Sequence, residues 1–207
     1  MFTDIVLPDD NEAEFAETAS KLGIKKMYFL YDFNYYNEDK VEKKLASIKN
    51  QHSISIETGI IVNQKNLNKA QHQSRLLAAK SSDSDRFFVE SKKIKLIYGF
   101  EETNKKDYLH QRASGLNHVI CELANKNNVA IGFSYSSLLN KNPGIVSLIM
   151  GRMAQNIALC QKYNVKTIVG SFSQNPFHLR NPQDLASLFT LLGMSAKNIR
   201  DSLSTSL

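Results

Sequence analysis

Cysteine is scarce: Cys121 and Cys160 are the only two in 207 residues. Each sits in an apolar-patterned segment with no second cysteine close in sequence, so both read as reduced core thiols, and neither a zinc pair nor a disulfide framework is expected. Long hydrophobic runs are lacking too, since none approaches the ~20 residues that span a bilayer. The start, Met1-Phe2-Thr3-Asp4, has neither the basic stretch nor the apolar core of an export signal. A cytoplasmic protein with no membrane span is the expectation. Catalytic signatures are missing as well. Histidines 52, 72, 110, 118 and 178 form no H-x-H pair, and no G-x-S-x-G elbow, Walker loop or G-x-G-x-x-G turn occurs. A metal-dependent barrel phosphoesterase needs clustered His, Asp and Glu ligands, yet the first apolar segment, FTDIVLP, offers Asp4 alone. No catalytic residue and no metal site are therefore expected in this chain, and Asp4 and Glu57 read as structurally satisfied acids.

What is present is charge, unevenly placed. The formal net charge is +6. From Asn104 onward there are eleven Lys and Arg against four Asp and Glu, whereas the first 103 residues hold fifteen against sixteen. Such asymmetry suits a fold with one side toward a polyanion, and it equally suits an ordinary solvated lysine face.

Hydrophobic periodicity alternates between strand and helix. Strands are predicted at 2–7, 26–31, 53–62, 87–89, 95–98, 129–133 and 166–169. Helices are predicted at 12–22, 38–48, 66–79, from Ser114 as N-cap through Ala124, along the stripe Val146, Ile149, Met150, Met153, Ile157 and Cys160, at 182–192 and at 195–203. No repeat is visible, and the only low-complexity patch is SSDSD at 81–85. Seven strands alternating with helices define an α/β fold with a parallel sheet, open or nearly closed into a barrel, in one domain over 1–207.

Parallel α/β folds put functional side chains in the loops after the strands. Three loops qualify: 99–113, 134–144 and 171–181. In the first, His110, Arg112, Asn117 and His118 gather at a helix entrance, where free N–H groups and the helix dipole favour phosphate. Arginine offers a bidentate fork to phosphate and asparagine can bond a ribose hydroxyl or a base edge. His118 equally suits a solvent-facing role, and Glu122 with Lys126 has the spacing of a surface pair. In the third loop Asn181, Pro182 and Asp184 spell a helix start, with His178 and Arg180 just before it. Arg180 either meets a phosphate or has a structural role, salt-bridged to Asp184 or covering the barrel rim. Arg152 and Asn156 lie one turn apart on the long helix, with Lys162 and Lys166 beyond. They form a backbone-tracking face in one reading; in the other, Lys162 complements the helix C-terminus.

Three ordered strings carry a family likeness: KDYLHQRASGLNHVICELANKNNVAIGFS at 106–134, RMAQNIALCQKYNVKTIVGSF at 152–172 and LRNPQDLASLFTLLGM at 179–194. Together they resemble the thirty-kilodalton-type protein subunit of archaeal and eukaryotic ribonuclease P. Ser114, Gly115, Leu116, Asn117 and His118 match its loop-to-helix signature. Gly132, Phe133 and Ser134 match a strand end, Arg152 and Asn156 the long helix, and Arg180, Pro182, Asp184 and Leu185 the last signature. The first hundred residues match only in layout, and 97–102 lack the His-Pro of many relatives.

The resemblance implies a TIM-like (PHP-like) irregular β/α barrel. It implies a noncatalytic ribonuclease P subunit that binds the catalytic RNA and supports removal of 5′ leaders from pre-tRNA. Its partners would be that RNA, a small ferredoxin-like protein subunit and, indirectly, pre-tRNA. No cofactor would sit on this chain, and Mg2+ would be held by the RNA. The implied RNA-binding set is His110, Arg112, Asn117, His118, Lys126, Arg152, Lys162, His178 and Arg180, with Ser114, Gly115, Gly132, Ser134, Asn156 and Asp184 as structural positions. The competing readings are a stand-alone barrel phosphoesterase and a protein-interaction module.

Overall fold

A computed structural model describes residues 2–107, 112–204 and 207. Seven strands lie side by side in chain order, all parallel: β1 (Thr3–Val6), β2 (Lys26–Asp32), β3 (Ser55–Ile61), β4 (Leu77–Lys80), β5 (Leu96–Tyr98), β6 (Ala130–Ser134) and β7 (Thr167–Gly170). Between and after them run α1 (Glu12–Lys21), α2 (Glu38–Gln51), α3 (Leu67–Ala70), α4 (Asp85–Ser91), α5 (His118–Asn127), α6 (Pro143–Lys162), α7 (Pro182–Leu191) and α8 (Ala196–Ser204).

The first strand meets the end of the last. Leu7 N donates to Ser173 O at 2.9 Å and Phe172 N to Ile5 O at 2.7 Å, next to a parallel bridge between Val6 and Ser173. Asp4 clamps this seam: its carboxylate accepts from Ser171 N and Ser171 Oγ, both at 2.6 Å, and from Ile5 N at 2.7 Å. Burial pushes this carboxyl up to about 6, with the three hydrogen bonds pulling the other way. The expected nearly closed barrel is therefore present, and its one acid on β1 serves closure. Glu57, the other acid read as structurally satisfied, pairs with Lys26 at 2.7 Å.

Alternate residues of each strand face the barrel interior, where Ile5, Tyr28, Leu30, Leu76, Ala78, Leu96, Tyr98, Ala130, Ile168 and Phe172 make one apolar cluster. The centre is packed, as in other (β/α) barrels. Phe172 takes a left-handed φ of +46° and stacks on Tyr98 with ring centroids 4.8 Å apart. Gly132 makes the room, because a Cβ there would come within 2.9 Å of both residues. The other strand faces pack against the helices through two further clusters.

Three predicted elements are corrected. The helix expected over 66–79 is only Leu67–Ala70, and Leu77–Lys80 is β4. A strand buried on both faces reads as an unbroken apolar run, which periodicity cannot separate from a helix. The strand expected at 87–89 lies within α4, whose start is held by Asp85 accepting from Ser81 Oγ at 2.7 Å and Ser82 N at 2.8 Å. The helix expected from Ser114 starts at His118, capped by Asn117 Oδ1 accepting from Ile120 N at 3.0 Å. Gly115, at φ +79°, breaks the chain between the two positions, and its Cα passes so close to Phe100 that a Cβ would sit 2.8 Å from that residue's carbonyl oxygen. Within α5, Val119 faces outward at 38% exposure, and Cys121 is buried, in keeping with its reading as a core thiol. Cys121 and Cys160, distant in sequence, are both buried free thiols, one on α5 and one on α6.

Candidate nucleic-acid interface

Loops at the C-terminal ends of β5, β6 and β7 share one rim of the barrel, and the described parts of the longest, 99–107 and 112–117, are braced from behind by α6. Arg152 is 2% exposed. Its Nε donates to Asp107 Oδ1 at 2.9 Å, its Nη1 to the carbonyls of Glu101 and Thr103 at 3.2 and 2.7 Å, and its Nη2 to Lys105 O at 2.5 Å. Asn156 Nδ2 donates to Glu101 Oε1 at 2.8 Å and to Ser114 O at 3.1 Å. Gln155 donates to Ser114 Oγ at 2.8 Å and to Arg112 O at 3.1 Å, and accepts from Arg112 N at 3.3 Å. One face of α6 thus holds the loop at six residues.

This geometry corrects the reading of Arg152 and Asn156 as a face that tracks an RNA backbone. Both are buried, and the arginine's fork is used up on loop carbonyls and Asp107. Desolvation works against the Asp107 carboxylate, yet the Ala113 N–H with Arg152 and Arg112 outweighs it and holds the group below its ordinary value. Glu101 is fully buried, and burial pushes its carboxyl up to about 7 against the bond from Asn156. Among the described residues its Oε2 and Asn156 Oδ1 have no hydrogen-bond partner.

What the braced loop presents outward is cationic. Lys105 and Lys106 are exposed. Arg112 is half exposed, pairs with Asp107 at 3.4 Å and lies flat on α6 at Gly151, where a Cβ would be 2.4 Å from its Cζ. Beside it, a groove of 780 Å³ takes Lys105 and Lys106 on one wall and Lys141 of the β6–α6 loop on the other. Lys105, Lys106 and Lys141 are not among the expected contacts; the charge excess after residue 104 is their only signal. Asn117 and His118 are exposed on the same rim, but the Asn117 carbonyl is spent on its cap. His110 lies outside the described residues.

The β7–α7 loop supplies the second cationic point. Arg180 lies 5.2 Å from the Tyr135 ring centroid; its Nε donates to Tyr135 OH at 3.2 Å and its Nη1 to the carbonyls of Phe177 and Leu179 at 3.1 and 2.7 Å. Among the described residues it makes no ion pair with Asp184, so the rim position is the one adopted. His178 Nδ1 is 3.1 Å from Ser173 Oγ. Asn181 caps α7 by accepting from Gln183 N at 2.8 Å, with Pro182 and the exposed Asp184 in its first turn, as the sequence predicts.

Lys126 and Lys162 are not brought to this rim. Both are exposed in the last turns of α5 and α6, at the opposite end of the barrel, and Lys162 Nζ sits 5.5 Å over the Tyr163 ring. Ser114, Gly132 and Ser134 are buried or enclosed, with Ser134 Oγ 3.0 Å from Ser136 Oγ. Among the described residues no group of three or more His, Cys, Asp and Glu is placed to hold a metal ion, and no helix is long and apolar enough to cross a membrane.

Fold and rim together define a class: a nearly closed seven-stranded parallel α/β barrel with a packed centre and a cationic loop rim braced by a buried arginine. The family model described as RNase P subunit p30 matches residues 1–207, and the chain belongs to that family. It is similar to ribonuclease P protein component 3 of Thermococcus gammatolerans, 34% identical over 137 residues that cover 65% of this chain and 60% of that protein. The component 3 of Thermococcus kodakarensis is 37% identical over 89 residues, 43% of this chain and 40% of that one. The chain thus spans less than two thirds of the length of these relatives. Its fold is that of a chain in the cryo-EM structure of archaeal ribonuclease P with mature tRNA, at a TM-score of 0.82 and 19% identity over 97% of this chain and 87% of the other.

Proposed function

We propose that this chain is a protein subunit of ribonuclease P that contacts the catalytic RNA through the cationic C-terminal rim and so supports endonucleolytic removal of 5′ leaders from pre-tRNA. Catalysis belongs to the RNA and its bound Mg2+; the protein neutralises and positions. A small ferredoxin-like subunit is its protein partner, pre-tRNA is reached through the assembly, and the setting is an archaeal cytoplasm. Family membership over the whole chain supports this reading, and one structural observation carries it. A twenty-residue helix spends Arg152, Gln155 and Asn156 on bracing a loop whose outward side chains are Lys105, Lys106 and Arg112. A cationic surface held in one geometry suits a backbone of fixed phosphate spacing, where each phosphate neutralised releases counterions.

Reconstitution tests it. Adding this protein to the cognate RNA and partner subunits at limiting magnesium is expected to raise 5′ leader cleavage of pre-tRNA severalfold. No increase at any protein concentration would sink the proposal. The phosphoesterase reading predicts instead chelator-sensitive hydrolysis of phosphate esters by the protein alone, and no observation favours it.

A further inference from the structure

Two aromatic side chains stand almost entirely in solvent: Tyr35 at 88% and Phe177 at 82% exposure, both in loops on the rim that carries the cations. Phe177 is the better placed of the two. Its N–H donates to Asn175 Oδ1 at 3.0 Å, Asn175 N donates in turn to Ser173 Oγ at 3.0 Å, and Pro176 starts the short 3-10 turn. Its carbonyl accepts from Arg180 Nη1 at 3.1 Å. The ring is therefore presented on a backbone pinned on both sides, and one of the pins is the cation itself.

We infer that Phe177 is a nucleobase-stacking platform, taking an unpaired base of the bound RNA while Arg180 meets the adjoining phosphate; this rests on the RNA-binding reading above. Chemistry favours RNA over an apolar protein surface. The segment 171–181, SFSQNPFHLRN, has no acid, and around its one exposed ring it has His178, Arg180, Gln174, Asn175 and Asn181. The flanking acids are Asp9 and Asp10 in the β1–α1 loop, next to Asn11, whose Nδ2 donates to Gln174 O at 2.9 Å, and Asp184 in the first turn of α7. A lone aromatic amid a cation and amides gives a flat π-face, a phosphate partner and base-edge donors, the set single-stranded RNA uses. It lacks the contiguous apolar neighbours that a protein interface core requires. A ring on a fixed backbone also loses little freedom on binding, which preserves the stacking gain.

The chain has no tryptophan, so Phe177→Trp places a single indole at the proposed platform. Its emission is followed while the protein is titrated with a mixed-sequence single-stranded RNA, with the matching full duplex, and with the cognate RNA in the reconstituted complex. Strong quenching by the single strand and the cognate RNA, and little by the duplex, is expected. Phe177→Ala should lose about tenfold in affinity for single-stranded RNA, at ~1–3 kcal/mol per stacked base. Its salt slope should stay unchanged, because no phosphate contact is removed, and Phe177→Trp should retain affinity. Salt-dependent RNA binding with an unquenched indole would overturn the platform and leave the RNA-binding reading intact; so would full affinity in the Ala variant, or quenching by the protein subunit alone. Absence of any salt-dependent RNA association in the wild type would overturn both.

Discussion

Arg152 shows how a residue type can mislead. As a lone cation on a helix flank it suits RNA contact, but its partners are four oxygens of the loop it faces, and it is 2% exposed. Replacing it with Met would leave Asp107 without its buried partner and three carbonyls without a donor. Breaking a buried pair costs about 3–5 kcal/mol. Arg152→Met should therefore lower unfolding free energy by about 3 kcal/mol in urea titration and loosen residues 99–107 and 112–114 to hydrogen exchange. A stability equal to wild type would show that the brace contributes nothing. Glu101 gives a second test. Its folded carboxyl lies near 7 against an ordinary 4.5, so its contribution is full below about pH 4.5 and is lost as pH rises through about 7. Glu101→Gln cannot ionise, and its amide can donate to the orphaned Asn156 Oδ1. The variant's melting temperature should rise relative to wild type across that window. The gain should be largest above pH 7 and on the order of a few kcal/mol, since each tenfold change in acidity is worth ~1.36 kcal/mol. Asp4, also raised, titrates in both proteins and cancels in the difference. A gap that stays constant with pH would place the buried proton elsewhere.

At the scale of elements, the sequence is clear where burial is one-sided and obscure where it is two-sided. The long helix α6 and α7 are legible because an apolar stripe alternates with polar positions and, for α7, because Asn181-Pro182 stands at its start, with Asn181 accepting the expected capping bond; Asn142-Pro143 starts α6 in the same way, inside the end of the segment read as a loop. β4 is not, since Leu76 and Ala78 face the barrel while Leu77 and Ala79 face helices, and LLAA has no period to read. The start of α5 is misplaced by three residues because Ser114 and Asn117 are both good N-cap types. Choosing between them needs the position of Phe100, which fills the space behind Gly115. The same limit governs the site. The cationic character of the loops after β5 and β7 follows from local composition, whereas the burial of Arg152 and Asn156 depends on where α6 crosses residues about fifty positions earlier. Phe177 carries no signal of its own in the sequence, because one aromatic among polar residues reads as core until its exposure is known.

Across the whole molecule the expected contacts divide into two ends of one barrel, and that division is testable. Arg112 and Arg180 lie on the C-terminal rim; Lys126 and Lys162 lie in the last turns of helices that return to the other end. If RNA is read by the rim alone, Arg112→Ala with Arg180→Ala should remove up to two phosphate contacts and lower the salt slope by about 0.9 for each on duplex RNA or ~0.7 on a single strand. Folding should survive: Arg152 still holds Asp107, the Arg112 side chain is half exposed, and surface ion pairs such as its 3.4 Å contact to Asp107 contribute ~1 kcal/mol or less. Lys126→Ala with Lys162→Ala removes the same formal charge from the same protein, so any effect of net charge on long-range attraction is matched between the two pairs. Binding titrated from low to moderate salt should then show a flattened slope for the arginine pair and a wild-type slope for the lysine pair. Equal flattening in both would mean that the whole basic half attracts RNA without a preferred end, and the braced loop would lose its reason as an RNA surface.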